Sequence, residues 1–260
     1  MDDGFAYEVP VGVEVEVGAL VRIPLGGRRV RGYVVSVGEP ARPGLRPLLA
    51  RRGDLPVFDP RLLEVMRWAA AHYVAPLPVL LGRGAPPNVP RRRPVPDLPE
   101  VPALGPSPLP EVSAAAAAGG HTGARYLIGP GPWGAPLASL AGPVLAAGRG
   151  VLVIVPAVAE ARRLADGLEA VFGARVVLAL AEEGGGALTG AWEAASHPGR
   201  LVVATREAAL WPVARLSLAA VVDEGRRGLK ERSTPTTHAR DLLWRRSAVE
   251  RFPLVLCGAV

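Results

Sequence analysis

The fold is decided by the stretch Ser217-Leu218-Ala219-Ala220-Val221-Val222-Asp223-Glu224, which is followed by a basic loop and by His238-Ala239-Arg240-Asp241. An apolar run that ends in two carboxylates predicts a buried parallel strand whose carboxyl end opens onto a site. In nucleoside triphosphatases, the first carboxylate of such a pair holds Mg²⁺ and the second positions water. We therefore interpret Asp223 and Glu224 as remnant catalytic residues. The alternative is a strand that ends in two solvated acids.

The composition limits the classes of function that fit this chain. Its 260 residues carry a formal net charge of +6, which fits a polyanionic partner. Cys257 is the one cysteine, so an intrachain disulfide and a zinc site built from cysteines are excluded. No apolar stretch approaches the roughly 20 residues of a membrane span, and the acidic N-terminus does not resemble a signal peptide. We expect a cytoplasmic protein without a membrane partner.

The first 40 residues have the pattern of a small antiparallel sheet. Valines alternate with glutamates over residues 13–17, which predicts a half-buried strand. Two further strands are predicted at residues 21–24 and 30–37. Between them, Gly26-Gly27-Arg28-Arg29 predicts a hairpin turn with glycine at positive φ. The arginines of this hairpin are either phosphate contacts or a solvated tip: Arg28, Arg29 and Arg31.

Helices are predicted next, followed by a linker. Asp59-Pro60 favours the start of a helix, since Asp caps the N-terminus and Pro fits the first turn. A very short strand at residues 48–50 precedes it, and a second helix at residues 76–81 follows it. Ten prolines between residues 86 and 110 predict a stiff, extended linker that contains a mobile Arg91-Arg92-Arg93 cluster. Residues 114–118 are either a helical turn or spacer.

Beyond the linker, strand and helix patterns alternate, which predicts a parallel sheet covered on both faces. The predicted strands lie at residues 126–128, 151–155, 175–180, 201–204, 218–222 and 254–257. The predicted helices lie at residues 158–172 and 239–250.

A phosphate-binding loop would follow the first of these strands. The sequence there is Gly129-Pro130-Gly131-Pro132-Trp133-Gly134-Ala135-Pro136, with the glycine spacing of Gly-x-x-x-x-Gly-Lys-Ser/Thr. Ala135 replaces the lysine that reaches the phosphates, and Pro136 replaces the hydroxyl that binds Mg²⁺. The prolines also lack an N–H to donate. We therefore predict a degenerate nucleotide site without ATP turnover, formed by Gly129, Gly131, Gly134 and Ala135.

Several motifs follow one another in a characteristic order. They are Phe5-Ala6-Tyr7-Glu8-Val9-Pro10, Val21-Arg22-Ile23-Pro24-Leu25-Gly26, Gly32-Tyr33-Val34-Val35, Val155-Pro156, Ala204-Thr205-Arg206, Val222-Asp223-Glu224 and His238-Ala239-Arg240-Asp241. In this order and spacing they resemble the PriA family of primosomal replication-restart proteins, in particular the helicase-degenerate kind found in actinobacteria. The family's acidic residue between Phe and Tyr, which contacts the terminal base, is Ala6 here, with Asp2 and Asp3 nearby.

The resemblance implies a mixed fold. Residues 1–88 would form a small β-rich domain with helices that binds the 3′ end of DNA, and residues 89–120 a proline-rich linker. Residues 121–260 would form a degenerate, α/β RecA-like first helicase lobe with a parallel sheet, after which the chain is truncated. The motifs and the basic hairpin together assign the DNA-binding residues: Phe5, Tyr7, Gly26, Arg28, Arg29, Arg31, Thr205 and Arg206.

We predict a DNA-binding protein of replication restart and primosome assembly that recognises stalled or branched forks with a 3′ end, without helicase activity. The alternatives are an ATP-dependent 3′–5′ DNA helicase and a non-catalytic scaffold or truncated product. No cofactor and no metal site are expected, and ATP with Mg²⁺ would bind only if the degenerate site were still competent. Other primosome proteins and single-stranded DNA-binding protein are further expected partners, at the nucleoid.

Overall fold

The computed structural model describes residues 4–38 and 43–258. Its architecture is mixed, with a small antiparallel sheet and helices followed by a six-stranded parallel sheet flanked by helices, which confirms the predicted fold class. Asp2 and Asp3 lie outside the described residues.

The N-terminal sheet contains β1 (Leu20–Leu25), β2 (Arg28–Tyr33) and β3 (Ala50–Arg52), in the order β2-β1-β3. Both pairings are antiparallel, and β1 is the central strand. The strand predicted at residues 13–17 is wrong. Turns flank that segment, where Val13 N–H donates to the Pro10 carbonyl and Ala19 N–H to the Glu16 carbonyl. The alternating valines have no neighbouring strand in the described sheet, so periodicity alone does not make them a strand.

Two helices cover this sheet: α1 (Pro60–His72) and α2 (Leu77–Gly84). The predicted cap of α1 is confirmed, because an Asp59 carboxylate oxygen accepts from Leu62 N–H at 2.8 Å. The apolar face of α1 is buried, with Met66 completely enclosed. The second helix continues beyond the predicted stop at Gly82, and its last residue is Gly84.

The parallel sheet has the order β4-β9-β8-β5-β7-β6. Its strands are β4 (Ala124–Ile128), β5 (Gly150–Ile154), β6 (Val176–Ala179), β7 (Leu201–Ala204), β8 (Leu216–Val222) and β9 (Leu254–Gly258). The helices around it are α3 (Pro110–Ala118), α4 (Gly134–Ala146), α5 (Val158–Phe172), α6 (Gly185–Ala195) and α7 (Ala239–Arg246). Because β9 lies between β4 and β8, the degenerate loop after β4 and the carboxylates after β8 meet at one edge of the sheet.

Three helices around the parallel sheet differ from the prediction, since α4 and α6 had no predicted range and α7 has other bounds. Sequence analysis missed α6, since three consecutive glycines precede its apolar residues and indicate a loop. The helix forms because Trp192 is buried and donates its indole N–H to the Gly84 carbonyl at 2.9 Å. The helix predicted at residues 239–250 is regular to Arg246, and a wider turn, Ser247–Arg251, completes it.

The segment predicted to be a linker is packed against the parallel sheet and its helices. Residues 88–93, here called the strap, lie along α6, where a Glu193 carboxylate oxygen accepts from Arg91 N–H at 2.8 Å. The other oxygen accepts from the Arg93 guanidinium at 2.6 Å, so the arginine cluster is anchored and not mobile. Further along, residues 110–118 form the full helix α3. Its buried Ser113 donates to the Leu140 carbonyl at 3.1 Å.

One hydrophobic cluster joins the N-terminal elements to the parallel sheet. It includes Leu20 of β1, Met66 of α1, Leu80 of α2, Trp192 of α6 and Leu242 of α7. Among residues 4–38 and 43–258, no helix combines the length and the apolar character that crossing a membrane requires.

Candidate nucleic-acid interface

The turn between β1 and β2 presents two arginines to solvent. Gly26 and Gly27 have φ values of 57° and 77°, which glycine adopts without strain. Arg28 pairs with Leu25 across the turn, and Arg29 follows it. Both arginines are exposed, and within the described part of the chain neither makes a hydrogen bond or an ion pair. Their positive charge is therefore uncompensated by a local carboxylate.

The N-terminal segment lies against the same end of the sheet. The Tyr7 hydroxyl donates to the Pro24 carbonyl at 3.0 Å, which brings this segment to the end of β1 beside the turn. Glu8 N–H donates to the Arg46 carbonyl at 3.0 Å, so exposed Arg46 joins the site although no motif marked it. Phe5 is 69% exposed. An exposed aromatic ring can stack on a base, and free guanidinium groups can hold phosphates.

Arg31 is placed differently from its two neighbours in β2. Its guanidinium donates to the Pro86 carbonyl at 3.4 Å and the Pro87 carbonyl at 3.1 Å. It lines a cavity of about 440 Å³ between the N-terminal elements and the parallel-sheet region, together with Arg83 and Arg206. The structure thus brings Arg31 together with Arg206 and separates it from the turn.

Thr205 and Arg206 follow β7 and face carboxylates. The Arg206 guanidinium forms ion pairs with Glu207 at 3.2 Å and with Glu231 at 3.0 Å, and donates to the Gly228 carbonyl. Buried Thr205 donates its hydroxyl to Glu207. Both residues are therefore engaged at the cavity and not assembled with Phe5, Tyr7 and Gly26.

The first remnant carboxylate, Asp223, is occupied by neighbouring side chains. It has a φ of 48°, a left-handed conformation that Asp tolerates better than most residues. The Trp133 indole N–H donates to one carboxylate oxygen at 3.2 Å. Arg226 approaches the other oxygen at 3.5 Å and also pairs with Glu160. The hydrogen bond to Glu160, with a smaller contribution from Asp223, raises the pKa of Arg226.

The second remnant carboxylate, Glu224, is also held by the chain itself. The Arg240 guanidinium donates to Glu224 at 2.7 Å and pairs with Asp241 at 3.2 Å, and the bond to Glu224 raises the pKa of Arg240. The other Asp241 oxygen accepts from the Tyr73 hydroxyl at 3.4 Å, and that hydroxyl accepts from His238 N–H at 3.2 Å. A continuous polar network therefore links α1 to the end of β8.

The degenerate loop lies open beside these carboxylates. Gly129 N–H donates to the Gly258 carbonyl at 3.1 Å, and α4 begins at Gly134 without a side-chain cap. A Cβ atom on Gly129 or Gly134 would meet no atom within 4 Å. Ala135 and Pro136 occupy the first turn of α4, where Pro136 has no N–H to donate. The loop thus offers few of the donors that hold a phosphate at a helix start.

This donor set does not fit an Mg²⁺-bound triphosphate. An indole N–H already takes one Asp223 oxygen and guanidinium groups take the other and Glu224, whereas Mg²⁺ needs free oxygen ligands. In the part of the chain that the structure covers, no group of three or more His, Cys, Asp or Glu side chains could hold a metal ion.

Residues 1–84 match the family model of the PriA 3′ DNA-binding domain (3′BD). This match covers 84 of the chain's 260 residues. The match ends at Gly84, the last residue of α2, and so covers the whole N-terminal sheet with both of its helices. The basic turn, Tyr7 and Phe5 all lie within the part of the chain that is similar to this 3′ DNA-binding domain.

The predicted DNA-binding residues fall into two groups. Tyr7, Gly26, Arg28 and Arg29 lie at one end of the N-terminal sheet, and exposed Phe5 precedes Tyr7 in the N-terminal segment. The second group lines or borders the cavity between the two halves: Arg31, Thr205 and Arg206. Their roles in DNA binding stay predictions. Sequence reasoning missed the partners of the remnant carboxylates, because no spacing rule pairs Trp133 or Arg240 with a carboxylate that lies 16 or more residues away in the chain.

Proposed function

We propose that this chain binds the 3′ end of a DNA strand at stalled or branched replication forks, and that it acts in replication restart without hydrolysing ATP. The observation that carries the proposal is that exposed Phe5 and the free arginines Arg28 and Arg29 all lie within the segment similar to a PriA 3′ DNA-binding domain. The ring stacks on a terminal base, and the arginines contact phosphates. Primosome proteins and single-stranded DNA-binding protein would join the complex at the nucleoid.

Three contacts support the absence of ATP turnover. Trp133 and Arg226 occupy the two oxygens of Asp223, and Arg240 occupies Glu224. Admitting Mg²⁺ would break these contacts, and the loop has no lysine to compensate for the charge of the triphosphate. In this proposal residues 121–260 form a degenerate RecA-like lobe that supports the DNA-binding domain, and residues 89–120 connect the two.

The test is a fluorescence-anisotropy titration with two forks that differ only at one strand end. One fork carries a free 3′ hydroxyl and the other a 3′ phosphate, and each is measured with and without Mg-ATP. We expect tighter binding to the free hydroxyl, unchanged by Mg-ATP. The same comparison tests whether end recognition survives with Ala6 in place of the family's acidic residue.

Substitutions locate the binding surface. We expect Phe5→Ala to weaken binding about 5-fold or more, since stacking on one base contributes roughly 1–3 kcal/mol. The double variant Arg28→Gln/Arg29→Gln should weaken binding at every fork and reduce its salt dependence. Arg163→Gln is the matched control, because Arg163 is exposed on α5 and bonds only to a backbone carbonyl.

Two outcomes would contradict the proposal. If the native chain binds both forks with equal affinity and Phe5→Ala does not change that affinity, the chain does not recognise the 3′ end. ATP hydrolysis stimulated by DNA in the pure protein would favour the helicase alternative, and binding to no DNA at all would favour a scaffold.

A further inference from the structure

A second basic depression lies at the other end of the N-terminal sheet. It has a volume of about 320 Å³ and is called here the strap cleft. The end of β3 forms one wall and the strap forms the other. Its lining residues are Arg51, Arg52, Gly53, Asp54, Val89 and Arg91. No motif points to it, since Arg91 belongs to the segment predicted to be a mobile linker.

Both walls of the strap cleft are held in place. Gly53 has a φ of 74°, and a Cβ atom there would lie 2.6 Å from the Pro90 carbonyl oxygen, so β3 and the strap meet at a position that requires glycine. Glu193, whose side chain is 4% exposed, binds the backbone of Arg91 and the guanidinium of Arg93. On the other wall, Arg51 pairs with Glu16 at 2.9 Å. The cleft is therefore preorganised.

The strap cleft is positively charged, and two of its guanidinium groups are free to bind an anion. Arg52 and Arg91 are exposed, and neither guanidinium has a hydrogen bond or ion pair to any residue that the structure describes. Asp54 is the one acidic residue in the lining, and Glu16 compensates Arg51. The two free guanidinium groups can each hold a phosphate oxygen through charge-assisted hydrogen bonds.

A row of arginines connects the strap cleft to the basic turn. Strand pairing places Arg22 opposite Arg31, Pro24 opposite Arg29 and Leu20 opposite Arg52. Since alternate residues of a strand share a face, Arg22, Arg29 and Arg52 lie on the same face of the sheet. Arg22 and Arg29 are exposed, and neither guanidinium has a hydrogen bond or ion pair to any residue that the structure describes. The row follows β1 from Leu25 to Leu20, a span of roughly 17 Å.

We propose that the strap cleft binds the phosphodiester backbone of the DNA strand whose 3′ end lies at the basic turn. This inference rests on the proposed function. Because one strand carries a phosphate about every 3.4 Å of helix axis, the cleft meets the backbone roughly five nucleotides from the 3′ end. Arg52 and Arg91 make the contact, and Glu193 positions the strap that carries Arg91.

The test compares the native chain with Arg52→Gln/Arg91→Gln and with the control Arg163→Gln. Affinity is measured for duplex arms of 3 to 12 base pairs with a free 3′ hydroxyl, over a range of salt concentrations. For long arms, we expect the double variant to lower the slope of log affinity against log salt by about 1.8, or about 0.9 for each lost phosphate contact. The native chain and the control should gain affinity once the arm exceeds roughly five base pairs, and the double variant should not.

The outcomes separate this inference from the proposed function. In one outcome, the double variant keeps the native salt dependence and arm-length dependence of DNA affinity, and the native chain still prefers a free 3′ hydroxyl. That outcome would contradict the proposed role of the strap cleft and support recognition of the 3′ end. An equal loss in Arg163→Gln would also overturn the cleft assignment, because it would reflect overall charge. If the native chain binds no DNA, both proposals fall.

Free inorganic phosphate is the alternative ligand of the strap cleft, because it presents the same phosphate oxygens as the DNA backbone. Binding of phosphate is measured by titration at constant ionic strength, with native chain and double variant. Suppose that the native chain binds phosphate saturably, that the double variant does not, and that the salt dependence of DNA binding is the same for both. The ligand of the strap cleft would then be a small anion and not the DNA backbone. No saturable phosphate binding, together with the reduced DNA slope, supports the assignment to DNA.

Discussion

At the scale of single residues, the neighbours of a carboxylate decide what it can do. Asp223 and Glu224 follow a buried strand, as a Mg²⁺-binding pair would, but Trp133, Arg226 and Arg240 bind their oxygens. A carboxylate that already accepts from charged or indole donors gains little from a metal ion and loses those bonds on binding it. The pair therefore contributes to the structure of this edge of the sheet.

His238 predicts a pH dependence of stability. Burial lowers its pKa from the usual 6.5, with smaller effects of the same sign from Arg240 and Lys230 and opposing ones from Asp241 and Glu224. The unfolded chain therefore binds the proton more tightly, and the free energy of unfolding should fall as the pH drops below about 6.5. Protonation also removes the acceptor that His238 offers to Arg240 N–H at the start of α7.

The check is urea unfolding at several pH values between 5 and 8, with His238→Asn as the comparison. Asn keeps an acceptor at the helix start and does not titrate in this range. Burial also lowers the pKa of His121, so the difference between the two chains isolates His238. Identical pH profiles would show that His238 does not contribute.

At the scale of elements, close packing joins α2 to the α/β region. A Cβ atom on Gly84 would lie 2.3 Å from the Met66 methyl carbon and 2.8 Å from the Leu210 carbonyl oxygen. Gly167, inside α5, has no atom within 4 Å of such a Cβ. Both glycines are helical, so they form a matched pair in which one position is enclosed and the other is open.

We expect opposite effects from the same substitution at these two glycines. Gly84→Ala should lower the free energy of unfolding by about 1–3 kcal/mol, because a backbone oxygen must move. Gly167→Ala should raise it by about 0.5–1 kcal/mol, because alanine restricts the unfolded chain and favours helix. Chemical denaturation measures both, and destabilisation by Gly167→Ala would contradict the packing argument.

The attachment of the strap to α6 gives a second prediction for an element. Glu193→Gln removes the negative charge of this side chain. It also replaces one of the two carboxylate oxygens by an amide N–H₂ group, which cannot accept the hydrogen bond from the strap. We expect a loss on the order of 1 kcal/mol, reduced by the exposure of Arg93, and faster tryptic cleavage within residues 91–93. Glu169→Gln, at an exposed position of α5, is the control and should change neither measurement. Unchanged cleavage in Glu193→Gln would show that the strap is held by other contacts.

At the scale of the whole molecule, the N-terminal elements and the parallel sheet share a core. Trp192 is buried beside α2 and donates to Gly84, and Arg83 donates to Thr237 at 2.6 Å. Such contacts differ from those of domains joined only by a linker, because opening the junction would expose apolar surface on both sides. In the proposed complex, DNA bound to the N-terminal sheet would keep a fixed position relative to the α/β region.

A shared core predicts one cooperative unfolding transition. Tryptophan fluorescence and far-ultraviolet circular dichroism should give coincident urea curves. Gly84→Ala should shift the whole transition, since it acts at the junction of the two halves. Two resolved steps, with only one of them shifted by Gly84→Ala, would contradict a single cooperative unit.

The order of most strands and helices can be read from the chain, because burial of one face imposes a visible period of two or 3.6 residues. The helix at Val158–Phe172 and the strand at Leu201–Ala204 were predicted with their observed bounds. The absence of a lysine at Ala135 was equally visible, because residue type is read directly from the sequence. Local patterns failed at α6 and at residues 13–17, where tertiary contacts outweigh propensity.

Only the tertiary structure decided which side chains meet. The Trp133–Asp223 contact, the anchoring of the strap by Glu193 and the approach of Arg91 to Arg52 all join segments far apart in the chain. No periodicity marks such pairs, because each depends on the order of the strands and on the path of a proline-rich segment over the surface. The chemistry of both the remnant carboxylates and the strap cleft follows from those pairings.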